Sequence, residues 1–302
     1  MKLTIFTPIY NRAHLIHRLY ESLLRQSNQN FVWLIVDDGS TDDIKQTVER
    51  YKVSANFEIR YYYQKNQGKH IAHNTGVEKC DTELFFCVDS DDYLTDDAVE
   101  KIYSIYNSKA YTSSNTLGYY FRKMDTDGKL SGGKFSLRGN LVGLREIYYR
   151  YGFVGELAIV LKTKMIKHFC FPSYDGEKFV SEKVFYNQIT SIAPMVYTDD
   201  PIYIFEYQDN GYTINSNRLL AKNPKGAAMG FLSDAIYGTN LLDMTKAYAS
   251  FSAVKKVFGI SNGIYPQNNR VKPIVRMLSV LLKFHYNKLF RRIDLKYNKE
   301  EK

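Results

Sequence analysis

The first hundred residues alternate short apolar runs with stretches in which apolar residues recur at helical spacing. The four apolar, β-rich runs lie at residues 3–6, 31–36, 57–63 and 84–88. The resulting order β-α-β-α-β-α-β predicts an α/β fold with a mostly parallel central sheet, right-handed crossovers and flanking helices. We expect Pro8 to end the first strand, because proline removes a backbone donor. Further strands are predicted at 119–124 and 158–161, and helices dominate from residue 219 onward.

The fourth apolar run ends in the acidic stretch Asp89-Ser90-Asp91-Asp92. Three carboxylates buried together are costly unless a cation accompanies them, because like charges a few ångströms apart cannot all stay ionised unaided. In open α/β sheets, ligands bind at the C-terminal ends of strands. The stretch therefore predicts a divalent metal that carries phosphates. The alternative is that Asp91 or Asp92 caps the helix expected near Thr95.

A second strand ends in an acidic pair, Asp37-Asp38, and the first strand ends in Thr7-Pro8. In a parallel sheet these strand ends lie on the same edge, so together they outline a nucleotide pocket with a metal at its phosphate end. We expect Asn11 to cap the helix that follows the first strand. Neither GxGxxG nor GxxxxGK[ST] is present in the sequence, which excludes both common glycine-rich phosphate loops.

Four motifs over residues 1–110 resemble those of family 2 glycosyltransferases with the GT-A fold, in the same order and spacing. They are TPIYNR at 7–12, VDDGSTD at 36–42, NQGKHIAHNTG at 66–76 and VDSDD at 88–92. Any one of them is weak alone, whereas the set is specific. The resemblance implies a Rossmann-like GT-A domain that binds a nucleotide sugar, with UDP as the expected nucleotide.

The resemblance also assigns residues. It implies that Asp38 accepts a hydrogen bond from the base of the UDP-sugar and that Asp89 approaches the ribose and the sugar. It also implies that Asp91 reaches a Mn²⁺ or Mg²⁺ ion that bridges the diphosphate. Lys69 follows Gly68 and is either a phosphate or uracil contact or a solvated lysine. The predicted nucleotide-sugar-binding residues are Thr7, Pro8, Tyr10, Asp38, Lys69, Asp89 and Ser90.

Inverting sugar transfer needs a carboxylate that takes the proton of the acceptor hydroxyl. Family members often supply it from Glu-Asp before a helix, and this sequence has Glu182-Lys183 instead. Glu182 is the predicted catalytic base, with Asp175 and Glu177 as substitutes; alternatively, Glu182 only favours a helix N-terminus. The resemblance further implies a lid over the donor, with Tyr207 and Gln208 near the pyrophosphate.

The charge of the chain is concentrated at its C-terminal end. Residues 267–302 contain ten Lys or Arg and three acids, which gives +7 of the net charge of +9. This asymmetry argues against a protein that binds nucleic acid over its whole surface and for a basic C-terminal appendage. Three cysteines without a CxxC pair predict a reducing compartment and no zinc site. The sequence contains no run of about 18 apolar residues, so we predict no membrane-spanning helix.

A basic amphipathic helix is predicted from Pro273. Its predicted apolar side carries Ile274, Met277, Leu278, Leu281, Leu282, His285 and Leu289, and its basic side carries Lys272, Arg276, Lys283 and Lys288. Such a helix binds the surface of an anionic membrane. The alternative is an ordinary packing helix with snorkelling lysines.

Together these patterns predict an inverting, metal-dependent transferase. It moves a hexosyl or N-acetylhexosaminyl group from a UDP-sugar to a glycan or lipid-linked acceptor in cell-surface polysaccharide biosynthesis. The predicted domains are a GT-A domain at 1–215, with a nucleotide half (1–110) and an acceptor half (111–215), and a helical region at 216–302. We expect a cytoplasmic protein, with peripheral attachment to the inner face of the membrane as a further option. The alternatives are a non-catalytic nucleotide-sugar-binding partner, a nucleotidyltransferase, and a nucleic-acid-binding tail.

Overall fold

The computed structural model of the chain describes residues 2–108, 115–206 and 216–298. The chain forms two compact units. The first comprises Met1–Cys170 and Ile192–Tyr207, and the second comprises Phe171–Ser191 and Gln208–Lys302. This grouping puts residues 171–191 with the C-terminal helices. The predicted domain boundary after residue 215 stays a prediction.

The first unit is built on one sheet with helices around it. Its strands are β1 (Leu3–Ile9), β2 (Phe31–Asp37), β3 (Glu58–Tyr63), β4 (Leu84–Cys87), β5 (Tyr93–Leu94), β6 (Gly118–Asp125), β7 (Leu141–Val142), β8 (Leu157–Lys162) and β9 (Met195–Phe205). Its helices are α1 (Ile16–Leu24), α2 (Ile44–Ser54), α3 (Lys69–Lys79), α4 (Ala98–Asn107) and α5 (Thr163–Ile166), with a π-helical turn at Glu146–Arg150. The α/β prediction is confirmed.

The sheet is mixed, with the strand order β3-β2-β1-β4-β8-β6-β9-β5 and β7 beside β9. The strands β3, β2, β1 and β4 are parallel to one another, as the alternating pattern predicted. Beyond β4 the pairs are antiparallel, except that β6 runs parallel to β9. The acidic stretch after β4 thus follows a strand at the centre of the sheet.

The two inner parallel strands β1 and β2 are buried along their whole length, whereas β3 at the edge of the sheet is partly exposed. All seven residues of β1 and all seven of β2 are buried, as expected for strands covered on both sides. Phe6 stacks on Phe85 with ring centroids 5.1 Å apart. Gly76 of α3 lies against this pair, since a Cβ there would stand 2.4 Å from the Phe6 ring.

Pro8 does not end the first strand, and that prediction is wrong. β1 continues through Pro8 to Ile9, and it pairs with β2 over its whole length but with β4 only as far as Phe6. Beyond Phe6 the strand has a single ladder neighbour, so a residue without an N–H is tolerated there.

The second unit is helical, which confirms the predicted helical C-terminal region. Its helices are α6 (Lys183–Ile189), α7 (Ser216–Lys222), α8 (Pro224–Tyr237), α9 (Leu241–Val257), α10 (Pro273–Ser279) and α11 (Lys283–Asn298). Single 3-10 turns lie at Asn262–Ile264, Pro266–Arg270 and Val280–Leu282. The helix α9 packs against α8, α10 and α11. None of the described helices combines the length and the apolar content that crossing a bilayer requires.

Candidate functional site

The loops that follow β1 and β2 are fastened together through Asn11. Its Oδ1 accepts a hydrogen bond from the Thr41 N–H at 2.8 Å, and its own N–H donates to Ser40 Oγ at 2.9 Å. Asn11 has a φ of +50°, which asparagine tolerates better than most residues. The helix α1 begins only at Ile16, after Leu15 as its cap residue. The prediction that Asn11 caps α1 is therefore wrong, and Asn11 instead shapes the loops at the sheet edge.

Asp38 organises the loop before α3. Its Oδ1 accepts hydrogen bonds from Gln64 Nε2 at 2.8 Å and from the Gln67 N–H at 2.9 Å, and its Oδ2 accepts from the Gly68 N–H at 2.7 Å. Only 3% of Asp38 is exposed. Charged acceptors of this kind form the stronger class of protein hydrogen bonds. The carboxylate predicted to meet the base is thus the anchor of the loop that carries Lys69.

Glycine is required where this loop meets the turn after β2. Gly39 has a φ of +83°, and a Cβ there would lie 2.6 Å from the backbone nitrogen of Asn66. Both features exclude a larger residue without movement of the backbone. The Gly39 turn and the loop before α3 therefore form one packed structure.

Lys69, the first residue of α3, reaches the acidic stretch after β4. Its Nζ lies 2.8 Å from Asp89 Oδ1. Burial alone would raise the pKa of Asp89, but the positive charges of Lys69 and Lys123 outweigh it and hold that pKa below its usual range. Asp89 is therefore an ionised acceptor in a partly buried place.

Tyr203 of β9 clamps the same stretch from the other side. Its hydroxyl donates to Asp92 Oδ2 at 2.7 Å and accepts the Asp89 N–H at 3.1 Å. The Glu206 N–H donates to Asp92 Oδ1 at 3.3 Å. Burial and the charge of Asp89 raise the pKa of Asp92 to about 7. The helix α4 begins at Ala98 after Asp97, so the alternative in which Asp91 or Asp92 caps it is wrong.

Lys123 of β6 is the second cation near the acidic stretch. Its Nζ lies 3.1 Å from Glu156 Oε2 and 4.0 Å from the centre of the Tyr203 ring. Burial would lower the pKa of Lys123, but the carboxylates of Glu156, Asp89 and Asp92 raise it overall. Lys123 and Tyr203 were missed by sequence reasoning, because no local motif marks them.

Asp91 differs from its two acidic neighbours. It is half-buried, and burial together with the charge of Asp89 raises its pKa. Among the described residues, no lysine or arginine forms an ion pair with it. Nor do those residues contain a group of three or more His, Cys, Asp or Glu arranged to hold a metal. Mg²⁺ is commonly bound through one or two carboxylates plus substrate phosphates, and Asp91 fits that mode rather than a cage made of protein alone.

The other predicted donor contacts lie on the first unit. The hydroxyl of Thr7 is fully buried and accepts the Trp33 Nε1–H at 3.0 Å. Pro8 and Ser90 are also buried, whereas Tyr10 is 48% exposed. The predicted contacts of these four residues with a nucleotide stay predictions. Tyr207 and Gln208, the predicted lid residues, lie outside the described residues.

Glu182, the predicted base, belongs to the second unit. It is exposed and directly precedes α6, where its carbonyl accepts the N–H groups of Phe185 and Tyr186. Lys183, which stands where family members often have aspartate, points its Nζ to within 3.2 Å of Asp234 Oδ2. The lysine that replaces the aspartate of Glu-Asp thus forms an ion pair within the second unit.

The substitute Glu177 has a different environment. Its carboxylate accepts the backbone N–H groups of Lys225 at 2.9 Å and Gly226 at 2.8 Å, in the first turn of α8. Burial raises its pKa, although these hydrogen bonds act in the opposite direction. A carboxylate at a helix N-terminus satisfies donors that have no partner within the helix. Glu177 therefore stabilises α8, while Asp175 is exposed nearby in sequence.

A mixed sheet of this order, with helices around it and acidic residues after its strands, is the architecture expected of the GT-A class. Residues 4–168, more than half of the chain, match the family model described as Glycosyl transferase family 2. The chain belongs to this family.

Relatives and solved structures agree with that assignment. The chain is 25% identical over 215 residues to the glycosyltransferase GlyG of Streptococcus pneumoniae, covering 67% of this chain and 70% of GlyG. It is 38% identical over 97 residues to chondroitin synthase of Escherichia coli, covering 32% of this chain and 14% of that protein. The structure of S. aureus TarS 1-349 in complex with UDP-GlcNAc is similar with a TM-score of 0.65 and 16% identity, covering 99% of this chain and 92% of the TarS 1-349 chain. This last likeness shows the fold.

The match is only partial for several longer relatives. The chain spans less than a quarter of the length of the Rickettsia glycosyltransferases that it resembles.

Proposed function

We propose that the protein is an inverting, metal-dependent glycosyltransferase that moves a sugar from UDP to a hydroxyl of a glycan or lipid-linked acceptor. The observation that carries this proposal is the Lys69–Asp89 ion pair beside Asp91, at the carboxyl ends of parallel strands. The UDP-GlcNAc in the TarS structure supports a UDP-sugar donor, with a hexosyl or N-acetylhexosaminyl group as the transferred sugar. The relative named chondroitin synthase supports a product in polysaccharide biosynthesis.

The residues of the first unit bind the donor in this proposal. Asp89 is held ionised and accepts hydrogen bonds from ribose or sugar hydroxyls, while Lys69 offers a cation to the diphosphate. Asp91 would hold Mn²⁺ or Mg²⁺, and the ion would neutralise charge on the diphosphate leaving group. Asp38 fixes the loop that presents Lys69. Asp38 also accepts a hydrogen bond from the base of the nucleotide. The residues Thr7, Pro8, Tyr10 and Ser90 complete the donor pocket.

Glu182 supplies the base in the proposed reaction. Its carboxylate takes the proton of the acceptor hydroxyl, and the acceptor oxygen forms a bond to the anomeric carbon. The bond between that carbon and the diphosphate oxygen breaks, and its electron pair leaves with UDP. Displacement from the opposite face inverts the anomeric configuration. Tyr207 and Gln208 form the proposed lid over the donor.

A second candidate is a partner protein that binds a nucleotide sugar without turning it over. The observation in its favour is Lys183, which replaces the acid of Glu-Asp and pairs with Asp234. This candidate predicts donor binding without release of UDP. A nucleotidyltransferase has no corresponding support, because the family that matches is a glycosyltransferase family.

UDP release from a panel of UDP-sugars with Mn²⁺ tests the proposal. We expect metal-dependent release from one donor by the wild type, and its loss in Asp91→Ala but not in the control Asp127→Ala, an exposed turn residue. Donor binding without release, measured by calorimetry, would instead establish the non-catalytic partner. Absence of both binding and release for every UDP-sugar would reject the UDP donor.

We also propose that transfer takes place at the inner face of a cell membrane. The charge concentrated in residues 267–302 is the sequence feature that supports this location.

A further inference from the structure

The helices α10 and α11 expose a row of apolar side chains. Positions 274 and 277 lie on one face of α10, and positions 281 and 284 follow them at intervals of four and three through the 3-10 turn at Val280–Leu282 and into α11. With Val280 they form what we call the apolar ridge: Ile274, Met277, Val280, Leu281 and Phe284. All five are exposed, and Leu281 and Phe284 are 81% and 83% exposed. Large apolar side chains in a contiguous exposed patch mark an interaction surface.

The ridge is not the face that packs within the second unit. The buried side chains of α10 and α11 are instead Val275, Ser279, Phe290 and Ile293. Phe290 lies against Phe231 of α8, with ring centroids 5.8 Å apart. The sequence prediction of a single apolar side is therefore corrected. Leu281 and Met277 point outwards, although Val275, only two positions before Met277, is buried.

The surroundings of the ridge are basic. Between Asp243 and Asp294 the sequence has ten Lys or Arg and no Asp or Glu. The row at intervals of three and four continues past Phe284 to Lys288 and Arg291, and both are exposed. Lys283 and Arg292 are exposed as well. The exposed apolar positions are thus followed along the sequence by exposed basic ones, and the first carboxylate after them is that of Asp294.

We propose that the apolar ridge and the adjoining basic residues bind the surface of an anionic lipid bilayer. Apolar side chains enter the boundary between headgroups and acyl chains, while Lys and Arg attract anionic headgroups. A second copy of the chain is a poorer occupant, because a parallel pairing in register would oppose Lys288 to Lys288, and an antiparallel pairing centred on Leu281 would oppose Lys288 to Ile274. This surface deepens the proposed work at a membrane. It is tested apart from sugar transfer, because vesicle binding needs neither donor nor acceptor.

Flotation of the full chain with vesicles tests the surface. We expect binding to vesicles of phosphatidylcholine mixed with phosphatidylglycerol, weak binding to phosphatidylcholine alone, and loss of binding as salt is raised. The double variant Leu281→Ser, Phe284→Ser lowers the partition coefficient about tenfold or more. Lys288→Gln with Arg291→Gln lowers it about twenty-fivefold, because each of the two basic residues contributes about fivefold. Thermal unfolding of both variants should match the wild type, since these side chains are exposed.

Val53→Ser is the matched control, because Val53 is an apolar residue of α2 that is 89% exposed. It should bind vesicles as the wild type does, and Asp91→Ala should too, which separates this surface from catalysis. The chain has one tryptophan, the buried Trp33, so Phe284→Trp reports insertion by a blue shift of its emission on vesicles. Equal binding by the ridge variant and wild type overturns the proposal. The proposal is also overturned if the wild type forms an oligomer without lipid and the ridge variant does not. It is overturned as well if RNA abolishes vesicle binding and the ridge variant binds vesicles as the wild type does.

Discussion

The Nζ of Lys69 lies 2.8 Å from Asp89 Oδ1, and this contact joins the start of α3 to the acidic stretch after β4. Asp89 would be a weak acceptor if its burial were uncompensated, because burial favours its protonated form. Lys69 and Lys123 keep it ionised. The cation that we propose for the phosphates and the carboxylate that we propose for the hydroxyls thus depend on each other.

Lys69→Met should reduce kcat/KM for the donor by about tenfold or more, the scale of a lost charge-assisted hydrogen bond. The same change should raise the pKa of Asp89, so the acidic limb of the pH–rate profile should move to higher pH. Measurement of kcat/KM against pH checks both effects. Lys69→Arg should restore much of the profile.

Lys65→Met is the control for this change, because Lys65 is an exposed lysine four residues earlier in the same loop. Its profile should overlay that of the wild type. An unchanged profile in Lys69→Met would show that the ion pair has no part in donor turnover.

Tyr203→Phe should cost about 1–3 kcal/mol of unfolding free energy, because the Asp89 N–H and the Asp92 carboxylate both lose a partner. Tyr120→Phe is the matched control. The Tyr120 hydroxyl is buried and has no hydrogen-bond partner within the described part of the chain. Its removal should therefore be neutral or slightly stabilising. Urea unfolding of the two variants checks the contrast, and equal losses would show that the Tyr203 hydroxyl bonds add nothing.

The parallel half of the sheet was predictable from sequence because each strand and the helix after it carry their own periodicity. The Lys69 and Asp91 motifs lie in that half. Tyr203 and Lys123 were not predictable, since their place beside Asp89 depends on the pairing of β6 and β9. That pairing shifts register near Arg122, and no short-range pattern records such a shift.

The C-terminal helices show a second limit of sequence reasoning. Helical spacing predicted a helix from Pro273 but not which apolar stripe packs inwards. The 3-10 turn at Val280–Leu282 interrupts the helix, and the choice of inner face depends on α9 as the packing partner. Phe290 is buried and Phe284 is exposed for that reason, although both are phenylalanines of α11.

Glu182→Gln should lower kcat for sugar transfer by about a hundredfold or more, the usual contribution of a general base. Because Glu182 is exposed, the melting temperature of Glu182→Gln should equal that of the wild type. Glu177→Gln should do the reverse. It weakens the hydrogen bonds to the start of α8 and so lowers stability by about 1 kcal/mol, with kcat retained. Transfer assays and thermal unfolding of both variants separate the roles, and a large loss of kcat in Glu177→Gln alone would move the base to Glu177.

The stability of the wild type should fall as pH rises towards neutrality because of Asp92. Its pKa is raised from 3.8 to about 7 in the folded protein, so between these values the folded chain keeps a proton that the unfolded chain has released. Unfolding then releases a proton, and the free energy of unfolding decreases as pH rises through that window. Between about pH 5 and pH 7 the loss should be about 2 kcal/mol relative to Asp92→Asn, which cannot ionise. Urea unfolding at several pH values measures the difference in slope. Parallel curves for wild type and Asp92→Asn would mean that Asp92 is already ionised at pH 5. Its hydrogen bond with Tyr203 would then involve an ionised carboxylate.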